Sequence, residues 1–406
     1  MKKTTQIKKD VKALNEFFAQ FEGRFVARDG ILDRLKLALL CNQHLLVMGP
    51  PGTAKTAVGT QILENINGSR FFETELTKYM TDEGILGPYD VKKLRDHGLL
   101  EHNTSGMLPE ADTARLGEFL DGNVATMRSL LSALNERKLK RGPQQINMPL
   151  LTAYADTNTD PARFLRRNPD AWAVLDRFLF ITSVDYVDNA DDMAAIVKAF
   201  QTGIELPVKK HIDLDLVKRL SGVITGTPTL FTDQGIYLWY AKAVMKYRSR
   251  LKSEKSDVSI FAEISDRRVA QASQVAEISA MLDGRLTVTI DDLPMCYYAL
   301  GSTESEKRLW EEICESIKKE YEDTKQRDLK IAQDHALSVI ATHLSQVDVK
   351  TGDIKSLRSD LDVIHEQLSA VRPDDDDIAA HRTKLIGDCE TKIESLRKRL
   401  LAENDF

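Results

Sequence analysis

The chain has 406 residues, of which 42% are hydrophobic and 29% charged, with only 12 prolines; this is folded polypeptide too long for one ordinary core of about 100 to 200 residues. Two or three domains are therefore expected. The 56 Lys and Arg against 62 Asp and Glu leave a formal charge of -6, so the bulk balance gives no support to a counterion-driven grip on nucleic acid.

The N-terminal segment, residues 1–23, is basic but interrupted by Asp10, Asn15 and Glu16, and reads as a helix. No later stretch approaches the roughly 20 uncharged residues that span a bilayer. Cys41, Cys296, Cys314 and Cys389 lack a CxxC pair or a nearby His, so neither a disulfide framework nor a zinc site is indicated. Reduced thiols and a cytoplasmic location are expected. From 24 to 185, short apolar runs at His44 to Met48, Leu150 to Tyr154 and Arg177 to Ile181 alternate with amphipathic stretches, the pattern of an α/β sheet. From 186 to 302, Ala190 to Phe200, Leu214 to Val223, Asp233 to Leu251 and Asp266 to Leu282 carry apolar residues at helical spacing, which predicts an all-helical domain.

After Thr303 the only Gly and Pro residues are Gly352, Pro373 and Gly387, a compositional boundary. In the 303–406 region, Ile354, Leu357, Leu361, Ile364, Leu368 and Val371 form a heptad seam, and Ile386, Cys389, Ile393, Leu396 and Leu400 form another. Pro373 and the aspartates Asp374 to Asp377 end one seam and supply acidic first-turn residues for the next helix. An antiparallel hairpin with a solvated, capped turn is predicted.

The strongest local signal is Gly49-Pro50-Pro51-Gly52-Thr53-Ala54-Lys55-Thr56, a full G-x-x-x-x-G-K-T match between an apolar strand and a helix. Its backbone N–H groups and the helix N-terminus form an anion nest, and Gly52 permits close approach of the phosphates. Lys55 reaches the β- and γ-phosphates of a nucleotide, and the Thr56 hydroxyl ligates Mg2+, a pattern that does not by itself distinguish a kinase from a GTPase or a motor.

With Val26-Ala27-Arg28-Asp29 and the His44 to Met48 strand, this loop resembles the AAA+ ATPases of the MoxR group. The likeness to the RavA-like branch continues through Met80 to Pro88, Thr104 to Ala111 and Leu130 to Lys138, in family order over roughly residues 24 to 300. The resemblance implies an α/β P-loop NTPase core with a parallel sheet, an all-α lid and, here, a long-helix, coiled-coil-like C-terminal domain. It also implies ATP and Mg2+ as ligands and a ring, by resemblance a homohexamer. Such ATPases commonly act on separate partner proteins with a von Willebrand factor A domain.

The site departs from that family at one position. Where the family has Pro-Glu-Ala, four residues and Leu-Asp-Glu, this chain has Pro109-Glu110-Ala111, then Leu116-Gly117-Glu118. Glu118 keeps the place of the residue that polarises the attacking water, while Gly117 replaces the Asp that holds magnesium through its water shell. A register using Phe119-Leu120-Asp121 would slip by four residues against both flanking blocks. Asp112, Thr113 and Arg115 also make a poor strand for burial on both faces. Loss of an outer-shell ligand typically costs about 10- to 100-fold in metal affinity or activity, so normal nucleotide binding with slow hydrolysis is expected, and Gly117→Asp is expected to raise turnover.

The resemblance further implies that Arg177, in Leu175-Asp176-Arg177-Phe178, is a finger for the neighbouring subunit's site. An ion pair with Asp176 or Asp185 is its bland alternative. Arg267, in Ser265-Asp266-Arg267-Arg268, takes the place of an Arg that reads the γ-phosphate within its own subunit, with Ser265 as helix N-cap. Asp283-Gly284-Arg285, Thr289 and Asp291-Asp292 complete the lid pattern. Asp156 and Asn158 both compete for the polar position that places the attacking water. Two functions follow: a chaperone-like remodelling motor on a partner protein with weakened hydrolysis, or a nucleotide-gated assembly scaffold whose hydrolysis is vestigial. Nucleic-acid remodelling lacks an aromatic and basic groove signature.

Overall fold

The computed structural model describes residues 2–142, 144–160, 164–165, 167–168, 172–202, 208–226, 234–253, 264–351, 353–373 and 375–404. Asp233, Gly352 and Asp374 from the sequence expectations lie outside them. The chain divides between Ile317 and Lys318 into two compact units.

In the first unit, β1 (Leu45–Met48), β3 (Phe71–Glu75), β4 (Thr113–Gly117), β7 (Thr152–Thr157) and β8 (Phe180–Ser183) form one sheet in the order β3-β4-β7-β1-β8. Every neighbouring pair is parallel. All four residues of β1 are buried, as a strand covered on both faces requires. Two smaller pairings complete the strands: β2 (Ile66–Asn67) lies parallel to β9 (Ile212–Asp213), and β5 (Lys138–Arg141) is antiparallel to β6 (Gln144–Asn147).

The strand β4 is fully buried in spite of its polar sequence. Asp112, just before it, receives the backbone N–H and Nε of Arg70 at 3.1 Å each and Nζ of Lys218 at 3.2 Å. Each buried charge has partners, which removes the penalty that makes such residues rare inside.

The helix α1 (Lys2–Glu22) buries Phe17, Phe18 and Phe21, which meet edge to face at 5.4 and 5.3 Å. Its Asp10 pairs with Arg219 at 2.8 Å, so the N-terminal segment is part of the first unit's core. The helix α2 (Asp29–Cys41) buries Ile31, Leu35 and Leu39, and α3 (Lys55–Leu63) follows the glycine loop.

Beyond the sheet lie helices Ala190–Thr202, Leu214–Thr225, Gln234–Ser253 and Asp266–Leu282. Buried Arg268 ties the last of these to the sheet by donating to the carbonyls of Phe178 (2.7 Å), Leu179 (2.6 Å) and Ala299 (3.1 Å). The long helix Glu304–Gln346 starts at the compositional boundary, yet its first turns belong to this unit. Trp310 is fully buried, donates Nε1–H to the Leu293 carbonyl at 3.1 Å and lies edge-on to Tyr247 at 5.3 Å. The division therefore falls after Ile317, about four helical turns beyond the change in composition at 303.

In the second unit, helices Ile354–Ala370 and Asp376–Asn404 run antiparallel: Leu361 O faces Cys389 Sγ at 3.5 Å while Leu368 O receives Arg382 Nε at 2.8 Å. Leu361, Leu368, Leu385, Cys389 and Leu396 form the seam, and Leu337, Ile340 and Leu344 of the long helix complete the core. Among the described residues no helix is long and apolar enough to cross a membrane.

Candidate nucleotide site

The loop from Gly49 leaves the C-terminal end of β1 and delivers Lys55 and Thr56 to the first turn of α3. Gly49 has φ +153°, and a Cβ there would lie 2.2 Å from the Val184 carbonyl oxygen, so only glycine fits. Lys55 Nζ donates to the carbonyls of Gly49 (2.8 Å) and Pro50 (2.7 Å), to Thr53 Oγ1 (3.3 Å) and to Asn158 Oδ1 (2.9 Å). Burial lowers its pKa, opposed by the charges of Asp156 and Glu118. Arg28 braces the loop from outside, giving Nε–H to Thr53 O at 2.8 Å and Nη2–H to Asp185 O at 3.1 Å. Its sequence block carries the family resemblance, but nothing local in the sequence gives Arg28 this bracing role.

A cavity of about 550 Å³ opens beside the loop, lined by loop residues Pro51 to Thr56 together with Glu118, Asp156 and Asn158. Its size and its backbone donors suit a nucleotide's phosphates. Glu118 follows β4 in a left-handed conformation, φ 47° and ψ 42°, a strained geometry for a residue with a side chain. Its Oε1 accepts from Asn158 Nδ2 at 2.6 Å, and its Oε2 is buried with no hydrogen-bond partner. Burial raises the Glu118 pKa, Asp121 adds to that rise, and Asn158 opposes it. Asn158 thus bridges Lys55 and Glu118 within the cavity wall.

Asp156 is placed differently. Its Oδ2 accepts from Arg115 Nε at 2.9 Å, and its Oδ1 lies 3.4 Å from Thr56 Oγ1. Burial raises its pKa, with Arg115 pulling the other way. Arg115, with its side chain only 3% exposed, also donates to Glu73 (2.7 Å), Glu75 (2.9 Å) and Thr56 Oγ1 (3.2 Å). Burial alone would lower its pKa, but its partners, with Asp156 foremost and Glu73 and Glu75 after it, more than reverse this and hold the guanidinium charged.

This arrangement bears on two expectations. Magnesium takes near-octahedral oxygen ligands at about 2.0 to 2.1 Å, and at Thr56 the hydroxyl already accepts from a guanidinium of the same sign. The side chains as placed do not fit a metal at that oxygen. The expected gain from Gly117→Asp meets a crowded position. An ideal Cβ at Gly117 would lie 2.0 Å from Glu75 Oε2 and 2.5 Å from Arg115 Nη2, so the space of the missing carboxylate is already filled.

Arg177 and Arg267 stand together at the other edge of the sheet. Arg177 lies three residues before β8, whose start is level with the start of β1, the end away from the glycine loop. Arg267 donates to Asn135 Oδ1, and its charge is felt by His44 at the start of β1 and by Arg177. Four residues of strand, roughly 13 Å, separate this edge from the loop. Both arginines therefore lie at the strand ends opposite the loop of their own chain, where Arg267 is expected to read the γ-phosphate. Ser265 caps the helix as expected, accepting from Arg268 N–H at 3.1 Å, and donates to Asp176 at 3.1 Å. Arg177 Nη1 is 3.9 Å from Asp176, and its Nε is buried without a partner.

Residues 12–221 match the family described as the MoxR domain in the MoxR-vWA-beta-propeller ternary systems, a match that covers more than half of the chain. The chain belongs to the MoxR family of AAA+ ATPases. Residues 240–314 match an AAA lid domain, so the first turns of the long helix carrying Trp310 fall within the lid match. An uncharacterized protein of Methanocaldococcus jannaschii is 26% identical over 280 residues, 69% of this chain and 68% of its own. Chaperone MoxR1 of Mycobacterium tuberculosis is 24% identical over 204 residues, 50% of this chain and 52% of its own. A solved structure from Cytophaga hutchinsonii, described as a candidate ATPase, shares the fold with a TM-score of 0.57 at 15% identity, covering 78% of this MoxR-family chain and 96% of that one.

Proposed function

We propose that this MoxR-family chain binds ATP at the Gly49 to Thr56 loop and hydrolyses it slowly, with Glu118 polarising the attacking water. The observation that carries this reading is Glu118 in the wall of the loop cavity, held by a left-handed backbone conformation with its Oε1 on Asn158. Lys55 and the loop amides bind the phosphates, and Asn158, held between Lys55 and Glu118, orients the water. Asp156 serves Arg115 instead. The missing carboxylate at Gly117 supports slow turnover.

Arg177 and Arg267 act on the site of the next subunit in a ring, a homohexamer by resemblance to the family. Their shared place at the strand ends away from the loop of their own chain supports that reading. The cycle drives chaperone-like remodelling of a separate partner protein. The matched family's description, which couples MoxR domains with vWA and β-propeller components, supports a partner bearing a von Willebrand factor A domain. A RavA-like position within the family and a cytoplasmic location remain part of this reading.

Steady-state ATP hydrolysis and ATP binding, measured on the native chain, Lys55→Ala and Glu118→Gln, test it. Lys55→Ala should weaken ATP binding, while Glu118→Gln should bind normally and lose about 10²- to 10⁴-fold in rate, the usual worth of a general base. Equal rates for Glu118→Gln and the native chain, with ATP-dependent assembly by mass, would favour the scaffold that Gly117 keeps in contention.

A further inference from the structure

Asp121, which entered the sequence reading only through a competing register, stands beside Glu118 in the fold. Its N–H donates to the Glu118 carbonyl at 2.9 Å and closes the short 3-10 turn Phe119–Asp121. A turn of this kind places residues i and i+3 over one another. Two consecutive residues beyond β7 hold the two carboxyl groups: Asn158 Nδ2 donates to Glu118 Oε1 at 2.6 Å, and Thr159 Oγ1 donates to Asp121 Oδ1 at 2.8 Å. The Glu118 side chain lies within hydrogen-bonding reach of the Asp121 carboxyl. Ionised, both groups only accept, so Glu118 Oε2 stays without a donor until a proton sits between the two. They also face different spaces. Glu118 lines the loop cavity, Asp121 lines a second cavity of about 570 Å³, and Asn158 lines both.

We propose that Asp121 is a positioning residue for ATP hydrolysis, sharing with Glu118 the proton that Glu118 takes from the attacking water. This rests on the reading of Glu118 as the base. In that step the water oxygen bonds to the γ-phosphorus as the bond to the β–γ bridging oxygen breaks. ADP leaves with that electron pair, and the water's proton passes to Glu118, where the Asp121 carboxylate accepts it in a hydrogen bond. A second negative charge at this distance makes Glu118 the stronger base and makes the two groups titrate as a pair. Burial is the larger cause of the raised Glu118 pKa and the Asp121 charge the next. The other charges facing Glu118 are Asp156 of β7, which adds to the rise, and Lys55 of α3; Lys78, Asp160 and Arg167 line the second cavity beside Asp121.

Single-turnover ATP hydrolysis by the full-length chain, followed from about pH 5 to about pH 9, tests this. Asp121→Asn keeps the shape and an acceptor for Thr159 but removes the charge. It should move the midpoint of the acid limb down by about one pH unit or more from that of the native chain, and slow the reaction on the alkaline plateau. Asp121→Glu should keep the midpoint near the native one. An Asp121→Asn midpoint equal to the native one, whatever the rate, overturns the proposal and leaves Glu118 as the base. If Asp121→Asn does not fold, Asp121→Ser reads the same shift. Equal rates for Glu118→Gln and the native chain at every pH, or no hydrolysis by the native chain, overturn the reading of Glu118 and this proposal with it.

Discussion

His44 illustrates how a single buried side chain sets a pH response. Its Nδ1 accepts the Ala153 N–H at 2.9 Å, which leaves the other ring nitrogen to donate to the Leu134 carbonyl at 2.6 Å. Burial, with Arg137 and then Arg267 adding repulsion, pushes its pKa down from 6.5 to about 3, against the pull of the Leu134 carbonyl. Between those values the unfolded chain binds a proton that the folded chain refuses. The contribution of neutral His44 is therefore complete above about pH 6.5 and is lost as pH falls, by about 1.4 kcal/mol per unit. Urea unfolding at pH 7, 5 and 4 should show the stability advantage of the native chain over His44→Gln shrinking with acidity; a constant difference would refute this.

Gly117 makes the opposite point, since its effect lies in what it leaves room for. Gly117→Asp must displace the Glu75 carboxylate from Arg115, which takes one carboxylate partner from that buried guanidinium. The variant should melt at a lower temperature without hydrolysing ATP faster. A clear gain in turnover would show that the ion pair yields easily and that only the carboxylate was wanting.

Among the elements, β4 and the C-terminal hairpin were legible to different degrees. The hairpin follows from its heptads: Leu361, Ile364 and Leu368 are the buried residues of one helix because apolar side chains at that spacing share a face. The third partner was missed: Leu337, Ile340 and Leu344 repeat the same three- and four-residue spacing on the long helix, and only the structure shows that they join this core. Leu361 is fully buried, so Leu361→Ala should cost about 2 to 5 kcal/mol. Its core belongs to the second unit, so calorimetry should show a lowered transition for that unit while ATP binding is unchanged. Lost ATP binding in a folded variant would show that the units are coupled. For β4, polarity argued against a buried strand, and only pairing with β3 and β7 reveals that each charge has its counter-charge.

At the scale of the whole molecule, Arg177 and Arg267 define the assembly question. If both serve a neighbour, Arg177→Ala and Lys55→Ala chains are each inactive alone, but mixing them equally restores about a quarter of the sites, each combining an intact loop with an intact finger. Hydrolysis by the mixture, against each variant alone, measures this; a mixture as inactive as its components would place the arginines in service of their own chain.

The sequence by itself determined the glycine loop, the strand before it, the helix after it, the helical region beyond the sheet and the hairpin, because each depends on neighbours a few residues away. Glu118 was legible for a related reason, its fixed spacing from Pro109 and from Asn135. Only the tertiary structure decided that Asn158 lies between Lys55 and Glu118 while Asp156 serves Arg115, that Arg267 stands at the far edge, and that the first unit continues to Ile317. Those outcomes depend on strand order and on charges paired across 40 or more positions of chain, as between Arg115 and Asp156. No local periodicity encodes which buried carboxylate will meet which guanidinium.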